Sequence, residues 1–482
     1  LAIPRCGISL RWGFSSLRHF AIYLLPVLLL WLTGCTSTQL SPGQRDWGPI
    51  YSQHTDVDGN LRTRAAGPVY EHVTSPGGDQ FTAVRPLYSK TVDAKKEKTH
   101  HEVLWPLASS KHWLGEHRWW AGPVLGWNYD VDDPESQKRL WVLPMWFSGK
   151  TRAGEDYWAL FPIYGNLRDF GSMDEINWQL WPLHVTTRKN DLTSDAWLWP
   201  IYSKTTGDDI HRFRVFPFYG TSTFRDDYTK RFIAWPFWTD ATYTYDDDPG
   251  RGFMLFPLYG QLDSATKHTR WYLPPFFRFE NDVNGQKINF PWPLYQYQTG
   301  ETIDKKYVFP LFGTKKVGDT QSDFWLFPVF WHQQIQRGEQ RVDRKLALPV
   351  WHHETRTEGD GTVSSRKTKL WPLGSVRREG EVRRTRAFDL WPTVDTAPIE
   401  RNYAPLWTVY RQDERPGGRS DTEILWGMYR HLNHGPGEKH QSVFPFWERW
   451  EDDQGSGWQI GKGLFGMQSG ESKKKARVLW FF

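Results

Sequence analysis

The chain has 482 residues, a formal net charge of +5 and only two cysteines. Setting aside Arg5, Arg11 and Arg18 of a basic N-terminal segment leaves about +2, too weak a field to hold a polyanion, so nucleic acid is not an expected partner. Hydrophobic residues make up an ordinary 39%, but 30 Trp, 29 Phe and 20 Tyr move the apolar surface onto aromatic rings, each able to bury ~150–250 Å².

Residues 1–34 read as a secretory signal. Three arginines and no acid precede the apolar run from Phe20 to Leu32, which is shorter than the roughly 20 residues needed to cross a bilayer. The run ends in Leu32-Thr33-Gly34-Cys35, which resembles the lipobox of bacterial lipoproteins. That resemblance covers residues 1–35. It implies cleavage before Cys35, acylation of its thiol and new amino group, and membrane lipid as a partner. Cys6 lies in the segment to be removed, so the mature chain has no thiol pair to oxidise. Thr36 and Ser37 follow Cys35 where a retention signal has aspartate, which by the same resemblance implies the outer membrane of the cell envelope. Residues 35–46 are then a lipidated tether and 47–482 an aromatic-Pro β-repeat domain.

From Pro49 onward an aliphatic-aromatic-Pro-aliphatic-aromatic phrase recurs about every nineteen residues, as in Leu160-Phe161-Pro162-Ile163-Tyr164, Leu198-Trp199-Pro200-Ile201-Tyr202, Val215-Phe216-Pro217-Phe218-Tyr219 and Leu255-Phe256-Pro257-Leu258-Tyr259. Polar stretches rich in turn formers lie between, such as Thr55 to Asn60, Asp246 to Gly250 and Asn281 to Gly285. One strand of roughly ten to thirteen residues plus a loop per period predicts an all-β, antiparallel, up-and-down meander of roughly 22 strands. Helix is excluded by the recurrent proline, which costs ~3 kcal/mol in a helix interior, and by aromatic and β-branched residues that favour strands.

With the phrase at strand centre, both faces are apolar over about five or six residues, an aromatic belt covered on both sides. Proline there donates nothing to the ladder. Each strand then pairs fully with one neighbour and loosens from the other, which predicts a ring or barrel of splayed hairpins. The Trp/Phe-Pro phrase together with the lipobox resembles a group of bacterial repeat proteins with a predicted β-flower shape, hairpin petals around a shallow barrel. This resemblance covers most of the mature chain and implies architecture, not activity.

Gly126, Gly165, Gly220, Gly260, Gly313, Gly374, Gly427 and Gly466 lie at similar offsets after the phrase, positions suited to close approach of a neighbouring ring or to a bulge. The basic clusters Arg377-Arg378, Arg383-Arg384 with Arg386, and Lys473-Lys474-Lys475 read as solvated hairpin ends. No nucleophile elbow, phosphate loop or zinc-spaced Cys/His pair is present in the sequence. His352-His353-Glu354, with His332 one unit earlier, is the nearest approach to a metal or acid-base cluster. Successive strand residues face opposite sides, so His352 and His353 do not share an ion. His431, His434 and His440 fall in a Gly-rich loop. Asp56 to Asn60 resembles the start of a calcium loop, but residue 67 is Gly where the twelfth position needs a glutamate. Asp246-Asp247-Asp248 reads as acids at a loop tip. No catalytic residue, metal site or cofactor is expected. The repeat spacing departs most between Leu390 and Leu432, the stretch expected to be specialised if any part is.

These readings converge on a lipid-anchored, non-enzymatic β-repeat protein of the outer membrane. It would act as a scaffold, or bind hydrophobic or glycan ligands through aromatic surfaces, tied to membrane lipid through acylated Cys35. Two alternatives stay open. One is an integral outer-membrane β-barrel for transport or as a channel, because Val478-Leu479-Trp480-Phe481-Phe482 resembles the terminal signal of such barrels, with Arg477 where that pattern has Gly. The other is a carbohydrate- or lipid-active enzyme with its site on loops.

Overall fold

A computed structural model describes residues 45–453, 455–470 and 474–479. Cys35 and the lipobox lie outside the described residues, as do Lys473 and the last three aromatic residues of the chain. The described chain forms 45 strands in antiparallel, up-and-down order. Among the described residues no strand pairing closes the meander on itself.

The all-β meander is as expected, whereas the count of roughly 22 strands is half of what is observed. The reason is the place of the proline. The phrase does not cross a strand centre; it is a turn. Strand Met173–Gln179 ends, Leu180-Trp181-Pro182-Leu183 reverses the chain, and strand His184–Lys189 begins. The Leu183 N–H donates to the Leu180 carbonyl at 2.8 Å, and Ile201 to Leu198 and Phe218 to Val215 do the same at 2.8 and 2.9 Å. Pro182 occupies the third position of a β-turn whose X-Pro bond is cis, and such bonds recur in seventeen X-Pro pairs among the described residues. A residue without an N–H is tolerated at that position because the turn asks no ladder bond of it. Each nineteen-residue period therefore holds two strands of about six residues, the usual strand length, with an aromatic-Pro turn at one end and a polar turn at the other.

The described chain divides into two compact units, one of Pro68–Pro416 and one combining residues up to Gly67 with Gly417–Phe482. In the larger unit the two turn types alternate from strand Lys98–Val103 to strand Val382–Ala387, with Gly122-Pro123, Leu143-Pro144, Pro274-Pro275 and Leu348-Pro349 standing in place of aromatic-Pro at four turns. In an antiparallel meander, alternate turns lie at opposite ends of the strands. All aromatic-Pro turns thus share one edge of the sheet, and all polar turns share the other. Successive aromatic-Pro turns are also joined by backbone bonds: Leu180 N–H to Ile163 O at 2.6 Å, Leu198 to Leu183 at 2.7 Å, Phe216 to Ile201 at 2.6 Å and Ala234 to Phe218 at 2.7 Å.

The aromatic rings do not form a deep core. Tyr157 and Trp178 are buried with Ala159 and Leu167 in one cluster, and Phe147, Phe161 and Phe170 pack against it half-buried. Other rings pack tilted against one another from turn to turn, as in Phe161 to Trp181 to Trp199 with centroids 5.1 and 5.9 Å apart. Glycine makes room for them. Gly165 faces Trp178, Gly220 faces Phe232 and Gly313 faces Phe324 in register, and a Cβ at any of the three would overlap the opposing ring. Gly126 stands likewise against Trp119, and Gly260 lies between Met254 and Trp271. Gly374 instead approaches the Arg386 carbonyl, and Gly427 has φ of 102°.

The irregular stretch holds the helices. After strand Val382–Ala387 come α1 (Ala397–Asn402) and α2 (Ala404–Trp407), each with proline in its first turn. They dock through polar contacts: Asn402 Nδ2 and Arg401 Nη2 donate to the buried Glu102 carboxylate at 2.8 Å each, and Tyr403 Oη donates to the Trp105 carbonyl. Lys369, 2% exposed, is held between Asp389 and Asp395 at 2.8 Å each.

Gly220→Ala is expected to cost about 1–3 kcal/mol in urea unfolding, the range for overpacking a close contact. The cost should largely vanish in a Phe232→Ala background. Additive costs for the two changes would show that ring and glycine are not coupled.

Candidate functional site

In the larger unit the strands from His184–Lys189 to Lys267–Tyr272 curve around a cleft of about 710 Å³. Register builds its floor row by row. Thr187, Ser194, Thr205, Arg212, Ser222 and Lys230 are successive cross-strand partners and share one face. Two residues nearer the aromatic-Pro edge, Val185, Ala196, Ser203, Arg214, Gly220 and Phe232 form the next row. At that edge Trp199 and Trp235 contribute from the turns themselves. The cleft is therefore graded: indole and phenyl rings at the aromatic-Pro edge, hydroxyls and cations toward the polar-turn edge.

Three cations line the cleft. Arg212 and Lys230 flank Ser222, about 10 Å apart across two strand spacings. Arg214 lies two residues from Arg212 on the same face, and its Nε is buried with no hydrogen-bond partner among the described residues. Lys230 Nζ lies over the Tyr228 and Tyr243 rings, 4.3 and 5.4 Å from their centroids. Neither arginine has an ion-pair partner among the described residues. Asp240, the one carboxylate lining the cleft, is held by Arg231 Nε and Trp238 Nε1 at 3.0 Å each. Its charge is thus matched by a cation other than the three. The three cations thus stand beside hydroxyls without an ion pair among the described residues, and Thr205 Oγ1 already donates to Ser194 Oγ at 2.9 Å.

The smaller unit concentrates buried charge instead. Arg430, 1% exposed, lies between Asp46 Oδ1 at 3.3 Å and Glu423 Oε1 at 3.4 Å, and Arg64 also pairs with Glu423. Glu448 accepts from His440 Nε2 at 2.8 Å, Lys462 Nζ at 2.9 Å and Gln459 Nε2 at 2.6 Å. Burial alone would raise the Glu448 pKa, but the His440 hydrogen bond and the Lys462 charge outweigh it and bring the group to about 2. These carboxylates are already engaged inside the fold, which makes the network a structural one.

The residues singled out from sequence fall as follows. His352 and His353 do face opposite sides: His352 is buried on the face of Glu354, whereas His353 Nδ1 meets Thr368 Oγ1 at 2.8 Å. His332 shares a face with His353 but Lys345 stands between them in register, and its Nε2 lies 3.0 Å from Asp343 Oδ2. His440 pairs with Leu432, and His431 with Gln441, which puts those two histidines on opposite faces. Asp56 closes a turn, accepting the N–H groups of Asp58 and Asn60 at 3.0 and 2.9 Å and pairing with Arg62. Asp248 accepts the Thr266 N–H at 2.8 Å. Arg377 pairs with Glu379 and Glu400, and Arg383 and Arg384 lie near Glu414 and Asp413. Arg212, Arg214 and Lys230 were not singled out. Their alternation along two strands was visible, but their convergence depends on register. No protein-family model matches the chain, and no curated protein matches its sequence.

The titrations give a stability expectation with a definite sign. Glu448 is depressed from 4.5 to about 2, so its contribution is full above pH 4.5 and is lost as pH falls toward 2. At full strength it is worth about 3 kcal/mol. Burial holds His352 down at about 4 from 6.5, so it too loses stability as pH falls from 6.5 to 4. Glu448→Gln should be less stable than the parent at pH 7, with the gap narrowing below pH ~4.5 in urea titrations followed by tryptophan fluorescence. A gap independent of pH would contradict the assignment.

Proposed function

We propose that this is a lipid-anchored binding protein of the bacterial outer membrane, non-enzymatic, whose cleft takes an amphiphile with an anionic head. The observation that carries the reading is the set of three cations, Arg212, Arg214 and Lys230, in a cleft walled by aromatic rings at one end and faced by no free carboxylate. An acyl or aryl tail lies along Phe232, Trp199 and Trp235, where its burial is worth ~25 cal/mol per Å². The phosphate or carboxylate head lies between Arg212 and Lys230, where charged hydrogen bonds are worth ~1.5–3 kcal/mol each. The volume is in the range of pockets that hold such molecules, ~300–1,000 Å³. The anchor rests on the lipobox at Leu32-Thr33-Gly34-Cys35.

Decyl phosphate should bind by titration calorimetry, and decanol at least about tenfold more weakly. Arg212→Ala and Lys230→Ala should each weaken decyl phosphate by about tenfold or more, and the parent's affinity should fall with salt. Equal affinity for the alcohol, or indifference to both substitutions, would remove the anionic-head reading. Independently, Cys35→Ala expressed with an ordinary cleavable signal should no longer incorporate labelled palmitate. Continued labelling would place the acyl group elsewhere.

A further inference from the structure

The two edges of the larger unit's sheet differ in a way that extends far beyond the cleft. From Leu104-Trp105-Pro106-Leu107 to Trp371-Pro372-Leu373, fifteen successive turns lie on the aromatic-Pro edge, and none contains a charged residue. Over the same span the turns of the opposite edge carry eighteen Asp and Glu against two Lys and Arg.

The apolar edge is also bare. The residue after the turn proline points outward in one unit after another, from Val329 at 37% exposed to Phe218 at 69%, with Leu107, Leu258 and Leu373 at 58–59%. Trp199 and Trp235 beside them are 46% and 49% exposed. Backbone bonds link each turn to the next, as from Leu273 N–H to Leu258 O at 2.9 Å and Leu326 N–H to Leu311 O at 2.7 Å, so the exposed residues form a continuous rim. Fourteen such side chains at roughly 100 Å² each expose well over the ~300–600 Å² of the largest patch on an ordinary monomer.

We propose that this rim rests in the interfacial layer of a lipid bilayer, with the acidic edge turned to water. Three observations choose bilayer over other occupants. Trp and Phe mixed with Leu and Ile, without charge, is the composition that settles at the headgroup boundary. The acidic edge is repelled by anionic lipid, so only one orientation is favourable. The sequence expects an acyl group on Cys35, so the chain itself is brought to a membrane. A side chain of half-exposed Leu or Phe inserted at each turn, repeated along the rim, supplies the second attachment that a lipid anchor uses.

The full chain with Cys35→Ala, exported by an ordinary cleavable signal so that no acyl group is present, is floated with phosphatidylcholine vesicles. The parent should float, its tryptophan fluorescence should be quenched by lipids brominated near the headgroup, and salt should matter little. Phe218→Glu/Phe237→Glu/Leu258→Glu alters only outward tips and should reduce flotation by about tenfold or more. Urea unfolding of that triple variant followed by tryptophan fluorescence tests folding, and because the cleft lies on other residues, either proposal can fail without the other. A parent that does not float, or a variant that floats as well, overturns the rim as a membrane surface. Loss of a dimer in light scattering in the variant, with no vesicle binding by the parent, overturns it in favour of a second copy of this chain.

Discussion

Proline has no backbone N–H, and in this chain it recurs about every nineteen residues beside an aromatic ring, so a sheet ladder has to end wherever it stands. Everything else in the larger unit follows from that. Because the ladder ends at the proline, strands are about six residues long and every period contains two of them. Because two strands return the chain to the same side, all the proline turns gather at one edge. The carbonyl that follows each proline is then free to accept from the next aromatic-Pro turn, which extends the sheet's hydrogen bonding through the turns themselves.

Short strands limit how much a deep core can hold, and the stabilising contacts are accordingly shallow and repeated. Rings lie across neighbouring strands instead of converging on a centre, and glycine at the facing position lets a ring such as Trp178 or Phe232 lie directly on backbone. Dispersion contacts of this kind are individually small and sum along the repeat. Where the repeat breaks, polar contacts replace them. Helices α1 and α2 are too short to be stable alone; Glu102 and Arg377 hold α1, and the aspartates around Lys369 hold the segment before it. The smaller unit relies likewise on the pairs centred on Arg430 and Glu448.

The same architecture separates two kinds of surface. The sheet face between strands His184–Lys189 and Lys267–Tyr272 is lined by small residues, which leaves the room that Arg212, Arg214 and Lys230 occupy at one end and aromatic rings at the other. The edge collects what the turns carry. A ligand grading from apolar to anionic matches the first, and a flat apolar boundary matches the second. Trp199 and Trp235 belong to both, so the aromatic end of the cleft opens beside the rim.

The amino-acid sequence by itself determined the repeat, its period, the all-β class and the antiparallel order, because these are local: turn formers, β-favouring residues and spacing are read within about twenty residues. It also marked the glycines that lie under rings and the opposed faces of His352 and His353, since side-chain alternation is a property of a single strand. What the sequence left misread was the role of the phrase. An aliphatic-aromatic-Pro-aliphatic run has the composition of a buried strand, and only the hydrogen bonds from Leu183 to Leu180 and their counterparts assign it to a turn. The cation cluster was likewise invisible, because Arg212 and Lys230 are eighteen residues apart in sequence and meet only through Ser222, by a register that one residue of slip would reverse. Tertiary structure alone decided which residues share a face across strands, and through that where charge and aromatic surface come together.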